Sequence, residues 1–412
     1  MRENPEITIP ALAKETEIAI RSVERAIEKL KKENKIERIG PDNGGYWRLL
    51  EGIIISCQLF HTMRLLLLLL FFGIPSLLLW SQGNPSQPVN IKAKYDSARV
   101  EFTQFEKKHG GFVETKNVKM HYLEWGNPRH TPFIWVHGSF TNAYEFADLA
   151  KELVQKGYYV IAIDYYGHGQ TPIPTHDVSL YHVADDIKTL MSVKKLSKAV
   201  IGGWSRGGFI ASAFYDAYPE KVLGLVLEDG GSVATNTHYH QLPDSTLDKQ
   251  VKSIFTNRFS AATFDTEFEA YKAYYDYSSS GTQFELLAWL GKDSEGKWTI
   301  GAGVEKLFHM RNEVEFKETI LRPTKASLFG QSMAMIQPKI IYRSLHVPLL
   351  IIDPTSPNDL FPFEKDNAAL QQQHSKFITH KIYPNTGHNV HYEKPKEFLE
   401  DITTFLKRIS RR

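Results

Sequence analysis

The sequence predicts an α/β protein in which a mostly parallel, twisted sheet is flanked by helices and preceded by a small N-terminal module. Short apolar runs of strand length alternate with segments whose apolar residues recur at helical spacing. Ser205 occupies a turn between one such run and one such segment, with Gly203 and Gly207 on either side. With 412 residues, of which 42% are hydrophobic, the chain can form two or three units with a sizeable core.

The first 50 residues predict a module of two helices and a β-hairpin. Apolar residues recur at helical intervals over 9–30, and the runs 36–39 and 46–49 flank a glycine-rich tip. This pattern resembles the winged helix-turn-helix of bacterial transcriptional regulators. That resemblance implies three candidate DNA contacts on the second helix: Arg21, Ser22 and Arg25. Ten basic and nine acidic side chains give no strongly basic surface, so contact with DNA and contact with a protein both stay open.

A mostly apolar stretch over 52–83 predicts a signal-peptide-like or transmembrane segment. Its leucine-rich core is long enough to cross a bilayer only if residues on its N-terminal side extend it. Met63 and Arg64, followed by leucines and then small polar residues, resemble the start of a secretory signal peptide. We therefore expect the C-terminal part to be membrane-associated through 52–80 or exported, with the N-terminal module cytoplasmic where it is retained. Whether 1–62 belong to the mature protein or are a fused reading frame stays open.

The remainder of the chain predicts a linker and then one large domain. Residues 84–111 are polar and contain two prolines, which is typical of a linker. Apolar runs of strand length follow at 133–136, 158–163, 199–201, 222–227 and 347–352. An interruption over about 235–340, rich in aromatic side chains, predicts a mostly helical insertion.

Five short motifs follow these strands in order. They are His137-Gly138-Ser139, Asp164 to Gly169, Gly203 to Gly207, Asp359, and Gly387-His388. In this order the motifs resemble those of the α/β-hydrolase family over about 112–412. The resemblance implies an α/β-hydrolase fold with a helical lid over the active site, and a catalytic triad in the chain order serine, acid, histidine.

Ser205, His388 and Asp359 are the candidate catalytic residues. A serine hydroxyl is a weak nucleophile at neutral pH and needs an adjacent base, which the resemblance assigns to His388. An imidazole titrates near neutrality and can accept and return a proton within one cycle. The acid must be a buried carboxylate at a strand end, and Asp359 matches the family's position. Asp229 and Asp353, which also follow apolar runs, stay open as alternatives.

The resemblance also implies an oxyanion hole formed by the backbone N–H groups of Ser139 and Arg206. Haloalkane dehalogenases and epoxide hydrolases of this fold have aspartate at the nucleophile position, so Ser205 indicates esters, thioesters, lactones or activated amides as substrates. We expect a small-molecule acyl ester, cleaved without a cofactor or metal, since the single Cys57 excludes cysteine-rich zinc sites. The alternative is a membrane-tethered or DNA-binding regulator whose hydrolase domain senses a ligand.

Overall fold

The structure is a computed structural model. It describes residues 27, 31, 36–39, 46–49 and 89–410, except 236–237, 255–261, 294, 302–306, 308–312, 324–326 and 357–360. The chain divides into two compact units, Met1–Leu67 and Leu68–Arg412.

The N-terminal unit contains the two strands of the predicted hairpin. Strand β1 (Ile36–Ile39) pairs antiparallel with β2 (Tyr46–Leu49). The predicted DNA contacts and the apolar segment lie outside the described residues: Arg21, Ser22, Arg25 and 52–83. The winged helix, its contact with DNA or protein, and the signal-peptide-like or transmembrane segment therefore stay predictions. Within the described ranges, no helix is both long enough and apolar enough to cross a membrane.

Strands and helices alternate along the second unit. The strands are β3 (Gly110–Glu114), β4 (Lys119–Trp125), β5 (Thr131–Val136), β6 (Tyr158–Ile163), β7 (Ala199–Trp204), β8 (Val222–Glu228), β9 (Leu290–Lys292), β10 (Trp298–Ile300), β11 (Leu349–Thr355) and β12 (Ile378–Pro384). All except β9 and β10 form one sheet in the order β12-β11-β8-β7-β5-β6-β4-β3. Among the described strands of this sheet, β4 alone runs in the opposite direction, so that it pairs antiparallel with β3 and with β6, and the other pairs are parallel. The sheet is therefore mostly parallel, as predicted, and its parallel strands end at one common edge.

Helices cover both faces of this sheet. They are α1 (Ile91–His109), α2 (Ala147–Gln155), α3 (Leu180–Val193), α4 (Arg206–Ala217), α5 (Asp244–Ile254), α6 (Glu267–Tyr274), α7 (Leu286–Trp289), α8 (Glu313–Phe316), α9 (Leu328–Met335), α10 (Pro338–Ile341), α11 (Glu364–Gln373), α12 (Val390–Glu393) and α13 (Pro395–Ser410). One apolar layer forms between the sheet and α3 and α4, and the other forms between the sheet and α2 and α13. Every residue of β6 and β7 is buried, as expected for parallel strands covered on both faces.

Helix α1 corrects the prediction of a polar linker over 84–111. Its apolar side chains recur every three or four residues: Ile91, Tyr95, Ala98, Phe102 and Phe105. The Asn90 side chain caps the helix by accepting the N–H of Ala93 at 3.1 Å. The apolar face contacts Tyr271 of α6 on one side and Tyr144 beside the sheet on the other. The helix therefore forms because its apolar face has two partners that are distant in sequence.

The described part of the insertion between β8 and β11 contains several short helices. Its described elements are α5 to α10 and the short antiparallel pair of β9 and β10. Tyr271 and Tyr275 are buried in a cluster with Ala98 of α1. Phe329 of α9 lies with its ring centroid 5.6 Å from the guanidinium of Arg206, at the start of α4. The insertion thus has a small core of its own and also reaches the carboxyl edge of the sheet.

Candidate active site

Ser205 lies in a strained turn between β7 and α4. Its φ of +53° and ψ of −121° belong to a region that residues other than glycine rarely adopt. The Ser205 N–H donates to the carbonyl of Glu228, at the end of β8, over 2.8 Å. A Cβ on Gly203 would lie 2.2 Å from the carbonyl oxygen of Gly207, and a Cβ on Gly207 would lie 2.0 Å from that of Val136. The two glycines therefore permit the close approach of β5, β7 and α4 that sets the direction of the serine.

His388 and Asp229 form a pair at the same edge of the sheet. Nδ1 of His388 lies 2.5 Å from Oδ2 of Asp229, and the exposed fractions of the two side chains are 12% and 2%. Asp229 has a φ of +45°, and its N–H donates to the carbonyl of Ile352 in β11 at 3.0 Å. The carbonyl of His388 accepts the indole N–H of Trp204, the neighbour of Ser205, at 2.7 Å. These bonds hold His388 and Asp229 close to the strained serine.

The other two acid candidates differ in their placement. Asp359, the first choice from the sequence, lies outside the described residues. Asp353 is buried in β11, where its Oδ2 lies 2.6 Å from Nε2 of His380 and accepts from Nδ2 of Asn367 at 2.9 Å. The histidine partner of Asp353 is thus His380. The described acid partner of His388 is Asp229, which the sequence left as an alternative.

The loop after β5 carries Ser139 next to the first turn of α4. Nε of Arg206 donates to Oγ of Ser139 at 2.9 Å. Phe140 has a φ of +67°, and its N–H donates to Nε2 of His168 at 3.2 Å. The first N–H groups of a helix lack carbonyl partners within the helix, and the helix dipole adds positive potential there. The loop and the start of α4 can therefore offer backbone donors to a negatively charged oxygen.

Two buried histidines support this loop in their neutral form. Burial lowers the pKa of His137 to about 4 and lowers the pKa of His168 well below its usual range. Nδ1 of His168 donates to the carbonyl of Tyr166 at 2.8 Å, so its Nε2 carries the lone pair that accepts the N–H of Phe140. The His137 ring stacks on Tyr165 with centroids 4.2 Å apart. Both imidazoles thus shape the loop by hydrogen bonding and stacking.

A buried charge network, which the sequence did not indicate, connects α1 to the same region. Nδ1 of His121 lies 2.6 Å from Oδ2 of Asp164, and its Nε2 lies 3.1 Å from Oε2 of Glu106. Burial opposes protonation of His121, but its hydrogen bonds to the two carboxylates raise its pKa to about 9. Oδ1 of Asp164 accepts the N–H of Ala143 at 2.7 Å, and Glu106 accepts the hydroxyl of Tyr144. The protonated His121 therefore links α1 to the segment that follows the loop after β5.

A second buried pair supports the segment that carries His388. Glu228 accepts the backbone N–H of His391 at 2.9 Å and lies 2.8 Å from its Nδ1, and both residues are fully buried. Burial alone would lower the pKa of His391, but the adjacent carboxylate raises it. The pair fixes α12 immediately after His388, so His391 has a structural partner of its own. In the described ranges, no group of three or more His, Cys, Asp or Glu side chains is arranged to hold a metal ion.

The sheet order and the strained serine between strand and helix define the α/β-hydrolase fold. A family model for the alpha/beta hydrolase fold matches residues 131–286. The chain is 25% identical over 290 residues to the sn-1-specific diacylglycerol lipase ABHD11 of Mus musculus, covering 66% of this chain and 80% of that protein. It is 25% identical over 254 residues to Lipase 1 of Psychrobacter immobilis, covering 58% and 79%.

One solved structure with the same fold is that of E-2-(acetamidomethylene)succinate hydrolase. It covers 72% of this chain and 98% of its own, with a TM-score of 0.53 and 17% identity. The second unit therefore has the α/β-hydrolase fold, and the chain is similar in sequence to known lipases and in fold to a known hydrolase.

Proposed function

We propose that this protein is a serine hydrolase that cleaves a carboxylic ester or a related acyl bond. In this proposal Ser205 is the nucleophile, His388 the base and Asp229 the acid. The observation that carries it is the 2.5 Å contact between Nδ1 of His388 and Oδ2 of Asp229, beside the strained turn at Ser205. Asp229 takes the place that the sequence assigned to Asp359.

The chemistry follows from the tautomer that Asp229 selects. Because Nδ1 of His388 donates its proton to Asp229, Nε2 carries the lone pair that accepts the hydroxyl proton of Ser205. The serine oxygen then attacks the carbonyl carbon, and Asp229 stabilises the imidazolium. His388 returns the proton to the leaving alkoxide, and water releases the acyl group by the same steps. The backbone N–H groups of Ser139 and Arg206 stabilise the negative oxygen of each tetrahedral intermediate.

We propose an apolar acyl ester as the substrate class. The ring centroids of Phe361 and His388 are 5.0 Å apart, and those of Phe361 and Tyr239 of the insertion are 6.2 Å apart. Aromatic side chains of this kind favour apolar groups near the reacting carbonyl. The similarity to a diacylglycerol lipase and to Lipase 1 supports the same substrate class.

Hydrolysis of p-nitrophenyl esters by three variants tests the proposal. Ser205→Ala should abolish turnover while the fold persists, and retention of more than a few per cent of the activity would reject Ser205 as nucleophile. Asp229→Asn should lower kcat by about 10⁴, because the amide imposes the wrong histidine tautomer. Asp359→Asn should change kcat by less than about tenfold, and the reverse ranking of these two variants would return the acid to Asp359.

A matched control separates the loss of the acid from the loss of any buried carboxylate. Counted as whole residues, Asp353 is 1% exposed and Asp229 is 8% exposed, so both are buried. Asp353, however, contacts His380 instead of His388. Asp353→Asn should therefore lower thermal stability while the folded enzyme keeps most of its kcat. Equal losses of kcat in Asp229→Asn and Asp353→Asn would point to damage of the fold.

We also propose a membrane-associated or exported location for the hydrolase. The proposal rests on the apolar sequence of 52–83 and on the signal-peptide-like start at Met63.

A further inference from the structure

The two residues assigned to the oxyanion hole also contact each other through their side chains. Nε of Arg206 donates to Oγ of Ser139 at 2.9 Å. Arg206 follows the nucleophile on α4, whereas Ser139 belongs to the loop after β5. The contact therefore connects two segments whose backbone N–H groups must face the same oxygen.

Other bonds hold the residues on either side of Ser139. The carbonyl of Gly138 accepts the hydroxyl of Tyr165 at 3.1 Å, and the N–H of Phe140 donates to Nε2 of His168 at 3.2 Å. Phe140 also adopts a positive φ, which the surrounding contacts must maintain. The bond from Arg206 acts on Ser139, which lies between these two residues.

The Arg206 side chain is well fixed for this task. Only 1% of the residue is exposed, and its guanidinium lies 5.6 Å from the ring centroid of Phe329. Burial lowers the pKa of Arg206 to about 10, so the side chain is still a cation at neutral pH. A hydrogen bond from a charged donor is stronger and more directional than one between neutral groups.

We propose that Arg206 is a positioning residue that acts through Ser139, keeping the two N–H donors at the separation that the tetrahedral intermediate requires. This inference rests on the proposed function. The two donors must be aimed at the oxygen of the intermediate, which lies at a different position from the oxygen of the bound ester. Loss of the bond therefore slows the chemical step more than it weakens ester binding.

A double-mutant cycle with Ser139→Ala and Arg206→Met tests this inference. We expect each single variant to lower kcat by about tenfold, with KM changed by less than about threefold. The double variant should lose no more than the more impaired single variant, because both substitutions remove the same bond. Ser139→Thr keeps a hydroxyl acceptor and should restore most of the kcat that Ser139→Ala loses.

The outcomes separate this inference from the proposed function. Additive losses in the cycle, or a loss confined to KM, would overturn the positioning role of Arg206 while an inactive Ser205→Ala still supports a serine hydrolase. Full activity of Ser205→Ala would instead overturn the proposed function. If Arg206→Met does not fold, the pair Ser139→Ala and Ser139→Thr decides: equal kcat values for the two variants would reject the role of the hydroxyl.

Discussion

Replacing Glu106 with glutamine removes one of the two negative charges that hold the buried imidazole of His121 in its protonated form. Glutamine keeps the size of the side chain and a hydrogen-bonding end, so α1 can keep its packing. The pH dependence of the free energy of unfolding then changes chiefly through the pKa of His121. We expect Glu106→Gln to lose stability at a lower pH than the parent chain.

The size of the effect follows from the pKa of His121. Burial lowers this pKa, but the hydrogen bonds to Asp164 and Glu106 outweigh burial and raise it from 6.5 to about 9. Because the pKa is higher in the folded state, the stabilisation is complete below pH 6.5 and is lost as the pH rises through about 9. One pKa unit corresponds to about 1.4 kcal/mol, so the parent chain should lose about 3 kcal/mol over this interval. For Glu106→Gln we expect the free energy of unfolding to fall by about half as much. This smaller fall should be complete at a pH closer to neutral than in the parent chain.

Urea unfolding followed by tryptophan fluorescence, at pH values from about 6 to 10, measures both curves. Asp96→Asn is a matched control on the same helix, since Asp96 pairs with Lys92 and both side chains are more than half exposed. This control should follow the parent chain within about 0.5 kcal/mol. Parallel curves for the parent chain and Glu106→Gln would refute the reasoning, because they would mean that Glu106 does not influence the protonation of His121.

Two further predictions concern the turn at Ser205 and the cellular location. Gly207→Ala should lower the free energy of unfolding by roughly 1–3 kcal/mol or prevent folding, since its Cβ would lie 2.0 Å from the carbonyl oxygen of Val136. The control is Gly281→Ala, whose nearest neighbour would be 3.7 Å away, and equal thermal midpoints of the two variants would contradict the prediction. Fluorophosphonate labelling of fractionated native cells should give a Ser205-dependent band at 47.1 kDa in membranes. If the protein is exported and cleaved, the band should have a lower mass and lie outside the cytoplasm. Labelling confined to the cytosol would count against the proposed location.

The sequence was sufficient to predict the mostly parallel sheet and the turn at Ser205. Both depend on local patterns: apolar runs of strand length, and small residues on either side of a serine. The hairpin of β1 and β2 was also predictable locally, because a glycine-rich tip separates two short runs that contain Ile36, Ile39, Tyr46 and Trp47.

The partner of His388 could not be predicted in this way. Asp229 and Asp353 both follow apolar runs that end at the same edge of the sheet. Only the packing of the loop after β12 brings His388 against Asp229, while β12 itself brings His380 against Asp353. These contacts join segments more than 25 residues apart, and no local pattern encodes them.

Helix α1 was missed although its apolar spacing was visible. Proline and lysine residues around Ile91–His109 favoured a linker, and the intrinsic signal of one amphipathic helix is weak without its partners. The charge network of Glu106 and His121 was missed with it. No spacing in the sequence relates a carboxylate in a presumed linker to a histidine in β4.

The position of α1 also determines where the hydrolase can be shortened. The resemblance to the α/β-hydrolase family begins near residue 112, which would be the obvious start for a recombinant fragment. Such a fragment would lack Phe105 and Glu106, and would thereby uncover the ring of Tyr144 and leave His121 with Asp164 as its remaining carboxylate partner. A fragment that begins at residue 89 retains the cap at Asn90 and the whole helix. We therefore expect a stable fragment of the hydrolase fold to begin before α1, well ahead of the first motif at His137.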